Sequence, residues 1–135
     1  YVQEAGSASV RRQLRTSRIA TSRLSAIEVA SALARRAREG AFTATERDRA
    51  LKRLNADLAV WILVELTAEL TADAQTLLVR HSLRSGDAVQ LASCLYLQRE
   101  TGERIPFAVF DDRLATAAQA EGLTLVSYRL ARLSV

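Results

Sequence analysis

Four acids stand where side chains of their type can do chemistry. Asp111 and Asp112 follow Phe110 directly, at the carboxyl end of the apolar run Pro106-Phe107-Ala108-Val109-Phe110. If that run is a strand of an open parallel sheet, its carboxyl end is where such sheets place their ligands. Asp is equally a favoured helix N-cap, suited to the positive end of the helix dipole, so both readings stand at this point. Asp87 opens a segment that is apolar nearly all round, from Ala88 and Val89 through Leu91, Ala92 and Cys94 to Leu97. On a helical wheel it shares a stripe with Leu91 and Cys94. An acid on a buried helix face needs a partner, a metal or a shifted pKa. The plainer alternative is that Asp87 assists a cap begun by Ser85. Glu28 falls opposite the apolar stripe of its own helix, beside Ser31 and Arg35, which by periodicity is a solvated face.

The remaining inventory narrows the chemistry. Cys94 and His81 are each the sole residue of their type, which removes disulfides, cysteine-based zinc sites and paired-histidine metal motifs. His81 ends a predicted helix, where a cation suits the dipole. A Ser/His/Asp triad is formally possible, but no serine sits between nucleophile-elbow glycines. Neither GxGxxG nor GxxxxGK[ST] occurs, so the usual phosphate loops are absent. Any metal must be held by carboxylates, which suits Mg²⁺ or Mn²⁺.

The elements that must position these acids belong to a chain of 135 residues, 49% hydrophobic and 25% charged, the size and balance of one globular domain. We read residues 1–135 as that single domain. No apolar run approaches membrane-spanning length and no secretory pattern is present, so a cytoplasmic protein without membrane contact is expected. The net charge is +4. Lys52 is the sole lysine among the basic residues, and arginine favours bidentate phosphate contacts. Ala and Leu are abundant too, so compositional bias accounts for most arginines as surface charge.

The pattern predicts alternating helices and strands. A helix capped by Ser7 runs to about Thr16, then a short strand covers Arg18 to Ser22. A long helix follows from about Leu24 to Glu39, with Ile27, Ala30, Leu33, Ala34 and Ala37 as its apolar stripe and Gly40 at its end. Thr43-Ala44-Thr45-Glu46 has the form of a capping box and opens a helix through Leu58. Val60 to Val64 reads as a strand. Helices are expected from about Ala68 to His81 and from Ser85 to about Glu100, the second closed by Gly102. Pro106 to Phe110 is a strand, Asp111 or Asp112 opens a helix that Gly122 closes, and Leu123 to Val126 is the last strand. This alternation argues for a parallel α/β sheet with helices on both faces.

Three segments together resemble the PIN-domain ribonucleases. Ser25-Ala26-Ile27-Glu28-Val29-Ala30-Ser31-Ala32-Leu33 is similar to their first acidic helix. Leu83-Arg84-Ser85-Gly86-Asp87-Ala88-Val89-Gln90-Leu91-Ala92 resembles their second motif, an Asp-Ala-x-x-Leu-Ala helix start. Val109-Phe110-Asp111-Asp112-Arg113-Leu114-Ala115 fits the third, an Asp at a strand end followed by Arg-Leu. Order, spacing and α/β alternation agree over essentially the whole chain. The resemblance is nearest to VapC-like toxins of bacterial toxin–antitoxin pairs. The start of the chain departs from it: the family's first acid ends a first, central strand, whereas Tyr1-Val2-Gln3-Glu4 resembles the segment just after that strand. With no Met anywhere in the sequence, the expectation is that the native chain extends upstream and supplies an apolar strand ending in Asp.

The resemblance implies a carboxylate pocket that binds Mg²⁺ or Mn²⁺ and cleaves RNA. Asp87 and Asp111 would be its principal ligands, Glu28 an outer ligand or a residue positioning water, and Asp112 an adjacent acid sharing the role or merely capping. Arg84 would touch RNA phosphate or form a surface ion pair. An antitoxin whose tail covers the pocket, and a homodimer, are implied as partners. The alternative is a catalytically silent PIN-like module acting through protein or RNA contacts. A receiver-like phosphoacceptor needs a lysine after a late strand, and Lys52 is in an early helix. A dehalogenase-type phosphatase needs Asp-x-Asp, which Asp111-Asp112-Arg113 lacks.

Overall fold

The computed structural model describes residues 17–126, so the helix expected from Ser7 to Thr16 lies outside the described residues. The elements are β1 (Ala20–Ser22), α1 (Leu24–Arg38), α2 (Ala44–Leu58), β2 (Ile62–Val64), α3 (Ala68–Arg80), α4 (Ser85–Thr101), β3 (Phe107–Ala108), α5 (Asp112–Ala120) and β4 (Leu125–Val126).

Local chemistry sets most of their ends. Thr43 and Glu46 form the reciprocal capping box at the start of α2, Thr43 Oγ1 accepting from Glu46 N–H and the Glu46 carboxylate accepting from Thr43 N–H. Thr67 caps α3 through Leu70 N–H. Gly102 closes α4 at a φ of 68°, a left-handed conformation that a side chain would resist.

Helix α4 is the axis of the core. Ala88, Leu91 and Ala92 are fully buried, and Val89, Ser93 and Cys94 nearly so. A helix apolar on every side has no solvent face to offer and must be surrounded. Here it meets Leu70, Ala74 and Leu77 of α3 and Leu114, Ala117 and Ala118 of α5, together with Val64 and Leu123. Burying each such leucine stabilises the fold by about 1.5–3 kcal/mol. Helices α1 and α2 pack as a hairpin beside this core and bury Leu33 and Leu54. Ile27, expected in the apolar stripe of α1, is 69% exposed instead: at the helix start it is Leu24 that packs against the core.

All strand pairing is parallel, as expected, but the described residues do not form a single sheet. β1 pairs with β2, Thr21 opposite Leu63, and β3 pairs with β4, Phe107 opposite Leu125. A cavity of about 510 Å³ lies between the pairs, lined by β1 on one side, by β3 on the other and by Cys94 and Leu97 of α4. Ile19 C=O and Arg23 N–H bond to β2. In a strand the backbone groups of alternate residues point to opposite edges, so those of Ala20 and Ser22 face away from β2, toward the cavity side.

Candidate active site

The acids sit at helix starts that the sequence explains only in part. α4 begins after Leu83 with Arg84 as N-cap in extended backbone, and Arg84 offers no side-chain cap. Ser85 is therefore the first helical residue and not the cap. Asp87 stands in the first turn, half-buried, with no hydrogen bond or ion pair to another described residue. The capping role that competed for Asp87 is thus not what holds it there. α1 begins without a cap from its own Arg23; instead Leu24 N–H donates to Ser22 Oγ at 3.1 Å, one residue upstream. That hydroxyl is fully buried and anchors the start of α1 to β1.

These two helix starts bring Glu28 against Gly86. A Cβ at Gly86 would overlap Glu28 Oε1 and stand 3.0 Å from Glu28 Cδ, so the carboxylate occupies the space a side chain would take. Glu28 as a residue is exposed, as its position on the helical wheel predicts, but its tip is tucked onto the α4 backbone. Loss of water around that tip, and secondarily the charge of Asp87, push the Glu28 carboxyl above its ordinary value. Neither Glu28 nor Asp87 has a cationic partner among the described residues. The arrangement is two close carboxylates, repelling each other, at the positive end of α4.

Asp111 is placed differently. It is the N-cap of α5, its Oδ1 accepting from Leu114 N–H at 2.9 Å, and Asp112 lies exposed in the first turn of the same helix. The structure brings Glu28 and Asp87 together but does not gather three potential metal ligands into one group among the described residues. Arg84 is exposed and forms no ion pair with a described residue. His81 ends α3, and its Nε2 lies 2.7 Å from Glu121 Oε1, which also accepts from Arg80 at 2.6 Å. His81 thereby ties the end of α3 to the end of α5. Burial pushes the Cys94 thiol up to about 11, so it stays protonated and is no nucleophile at neutral pH. The residue that sequence reasoning missed is Gly86. Its signal was a glycine in a first helical turn, where backbone entropy argues against it unless something needs the space.

Two unpartnered carboxylates fit a hard dication, since Mg²⁺ is commonly held by one or two carboxylates with water and phosphate completing its shell. The pattern of the PIN domain matches residues 2–120, which include all of these acids. The chain belongs to the PIN domain family. PIN domains are generally nucleases, hydrolases that typically use divalent metals, and the family suggests RNA binding. In this PIN domain the mixed α/β fold with parallel strands is the one the family leads one to expect. No curated protein matches the chain. No helix of the described residues is long and apolar enough to cross a membrane.

Proposed function

We propose that this PIN domain is a metal-dependent endoribonuclease that cleaves RNA phosphodiester bonds and acts as the toxin of a toxin–antitoxin pair. The observation that carries the reading is the seating of the Glu28 carboxylate on Gly86 beside Asp87. Loss of water, and then the neighbouring Asp87, make the Glu28 carboxyl harder to ionise, and a divalent cation would relieve that. A bound Mg²⁺ or Mn²⁺ would supply charge neutralisation on the scissile phosphate and a more acidic water.

The protein's own residues do the rest. Asp87 and Glu28 would hold the cation, and Glu28 would also orient water. Asp111 keeps Oδ1 on the cap of α5 and would bring its other oxygen to the site, with Asp112 beside it, only once the cation draws the acids together. Arg84, exposed immediately before the Asp87 turn, contacts phosphate. We further propose that a strand ending in an acid seats in the cavity between β1 and β3. The outward-facing backbone groups of Ala20 support this, as does the separation of the two strand pairs. Such a strand would join them into one sheet and add an acid at its carboxyl end. An antitoxin segment covering the acids is the partner this reading implies. A self-complementary dimer is the assembly it implies.

One observation favours a second reading. Because no three ligands are gathered among the described residues, a catalytically silent module acting through protein or RNA contacts has a specific basis. The experiment that separates them is RNA cleavage by the natural full-length protein with Mg²⁺, with EDTA, and with Asp87→Asn. Cleavage that needs the metal and is lost in Asp87→Asn supports the nuclease. RNA bound but uncut under every condition supports the module.

A further inference from the structure

One helical turn from the two acids lies a polar cluster with an unusual closure. Gln90 follows Asp87 by three residues on α4, and Ser25 precedes Glu28 by three on α1. Each pair therefore shares a helix face about one turn apart. Ser25 meets Gln90 while Glu28 meets Gly86, so the two helix starts run antiparallel past each other with two points of contact. The first contact is hydrogen-bonded and the second is the candidate site.

One consistent set of proton directions for this cluster follows from its backbone donor. Gln90 Oε1 accepts from the Ser22 backbone N–H at 3.2 Å, which fixes which end of the amide is oxygen. It accepts a second bond from Thr21 Oγ1 at 3.3 Å. Thr21 has then used its proton, so in the 2.7 Å contact between Thr21 Oγ1 and Ser25 Oγ the donor is Ser25. The remaining bond runs from Gln90 Nε2 to Ser25 Oγ. Gln90, Ser25 and Thr21 thus form a closed ring in which every bond points the same way round, with β1, α1 and α4 each contributing one member. Bonds in such a ring polarise one another, and removing one partner leaves the others unsatisfied.

We propose that Gln90 is the positioning residue of the site: through this ring it holds α1 against α4 so that Glu28 stays seated on Gly86 beside Asp87. The inference rests on the reading of Glu28 and Asp87 as the metal-binding pair. Other ties hold the start of α1, Leu24 N–H to Ser22 Oγ and Leu24 against the core, but neither is a hydrogen bond between α1 and α4. Contact between α1 and α4 is slight compared with that between α3 and α4, and Leu33, the buried residue of α1, lies more than a turn beyond Glu28. Leu or Met at position 90 would fill the same space and offer no hydrogen bonds.

The test compares wild type with Gln90→Leu, Ser25→Ala and the double variant. The readouts are the nuclear Overhauser contact between the Glu28 side chain and Gly86 Hα, and Mn²⁺ affinity by electron paramagnetic resonance. Circular dichroism monitors the fold. Folded variants are expected in which the Overhauser contact is lost and Mn²⁺ binds at least tenfold more weakly. The double variant should be no worse than the poorer single one, because the ring fails as a unit. Ser25→Ala removes a single hydroxyl and decides the matter if Gln90→Leu does not fold. An Overhauser contact intact in the folded variants overturns the proposal. Wild type that binds no Mn²⁺ overturns the metal-site reading instead, and the Overhauser comparison still decides whether Gln90 positions Glu28.

Discussion

The carboxylate of Glu28 occupies the volume that a side chain at residue 86 would need, so Glu28 in this position and a side chain at 86 exclude each other. Gly86 lies within α4 at ordinary helical backbone, where Ala would stabilise a helix by about 0.5–1 kcal/mol. The atom a new Cβ would strike is the far end of a flexible side chain. Gly86→Ala is therefore expected to leave the melting temperature unchanged or higher while displacing Glu28. RNA cleavage and Mn²⁺ affinity should each fall at least tenfold. Calorimetry beside a cleavage assay reads both quantities, and a variant that is destabilised yet fully active would contradict the relationship.

Glu28 gives a pH signature. Its folded pKa lies above the ordinary carboxylate value, mainly from loss of water and then from Asp87. The folded state therefore binds its proton more tightly than the unfolded one. The associated stability is present below the ordinary value and is lost as pH rises through the folded value. Because the group is partly exposed, the effect is small. In metal-free protein, Glu28→Gln should match wild type at acid pH and melt no lower, or slightly higher, at neutral pH. A Glu28→Gln variant less stable than wild type only at neutral pH would reverse the sign and refute the argument.

Much of the fold was legible in the sequence, and the exceptions share a cause. The Thr43–Glu46 box, the Gly102 stop and the apolar surround of α4 are encoded within a few residues of where they act. Ser85 failed as a cap because the chain enters α4 one residue earlier, through Arg84, and nothing local distinguishes the two. Glu28 fell correctly on the exposed face of α1, but periodicity describes the root of a side chain and not where its tip lands. The approach of α1 to α4 joins residues about sixty apart, and the Gln90 ring does the same; no short-range pattern encodes either.

Asp111 separates capping from chemistry. Its Oδ1 accepts from Leu114 N–H, and Asn can make the same bond. Asp111→Asn should keep the melting temperature, whereas Asp111→Ala should cost about 1 kcal/mol. If the second oxygen serves the site, as proposed, Asp111→Asn loses most RNA cleavage despite its intact stability. Thermal melts and cleavage rates on the two variants settle it, and undiminished cleavage by Asp111→Asn would confine the residue to its cap.

The most direct test of the metal site is Mn²⁺ binding to the natural full-length protein, followed by electron paramagnetic resonance, for wild type, Asp87→Asn and Glu28→Gln. Asp87 makes no hydrogen bond to a described residue that Asn would break, and neither substitution removes a core contact, so all three proteins should fold alike. Saturable binding is expected in wild type, with affinity at least tenfold weaker in each variant. Binding that is absent from wild type, or equal in all three proteins, would contradict the claim that Glu28 and Asp87 form a metal site.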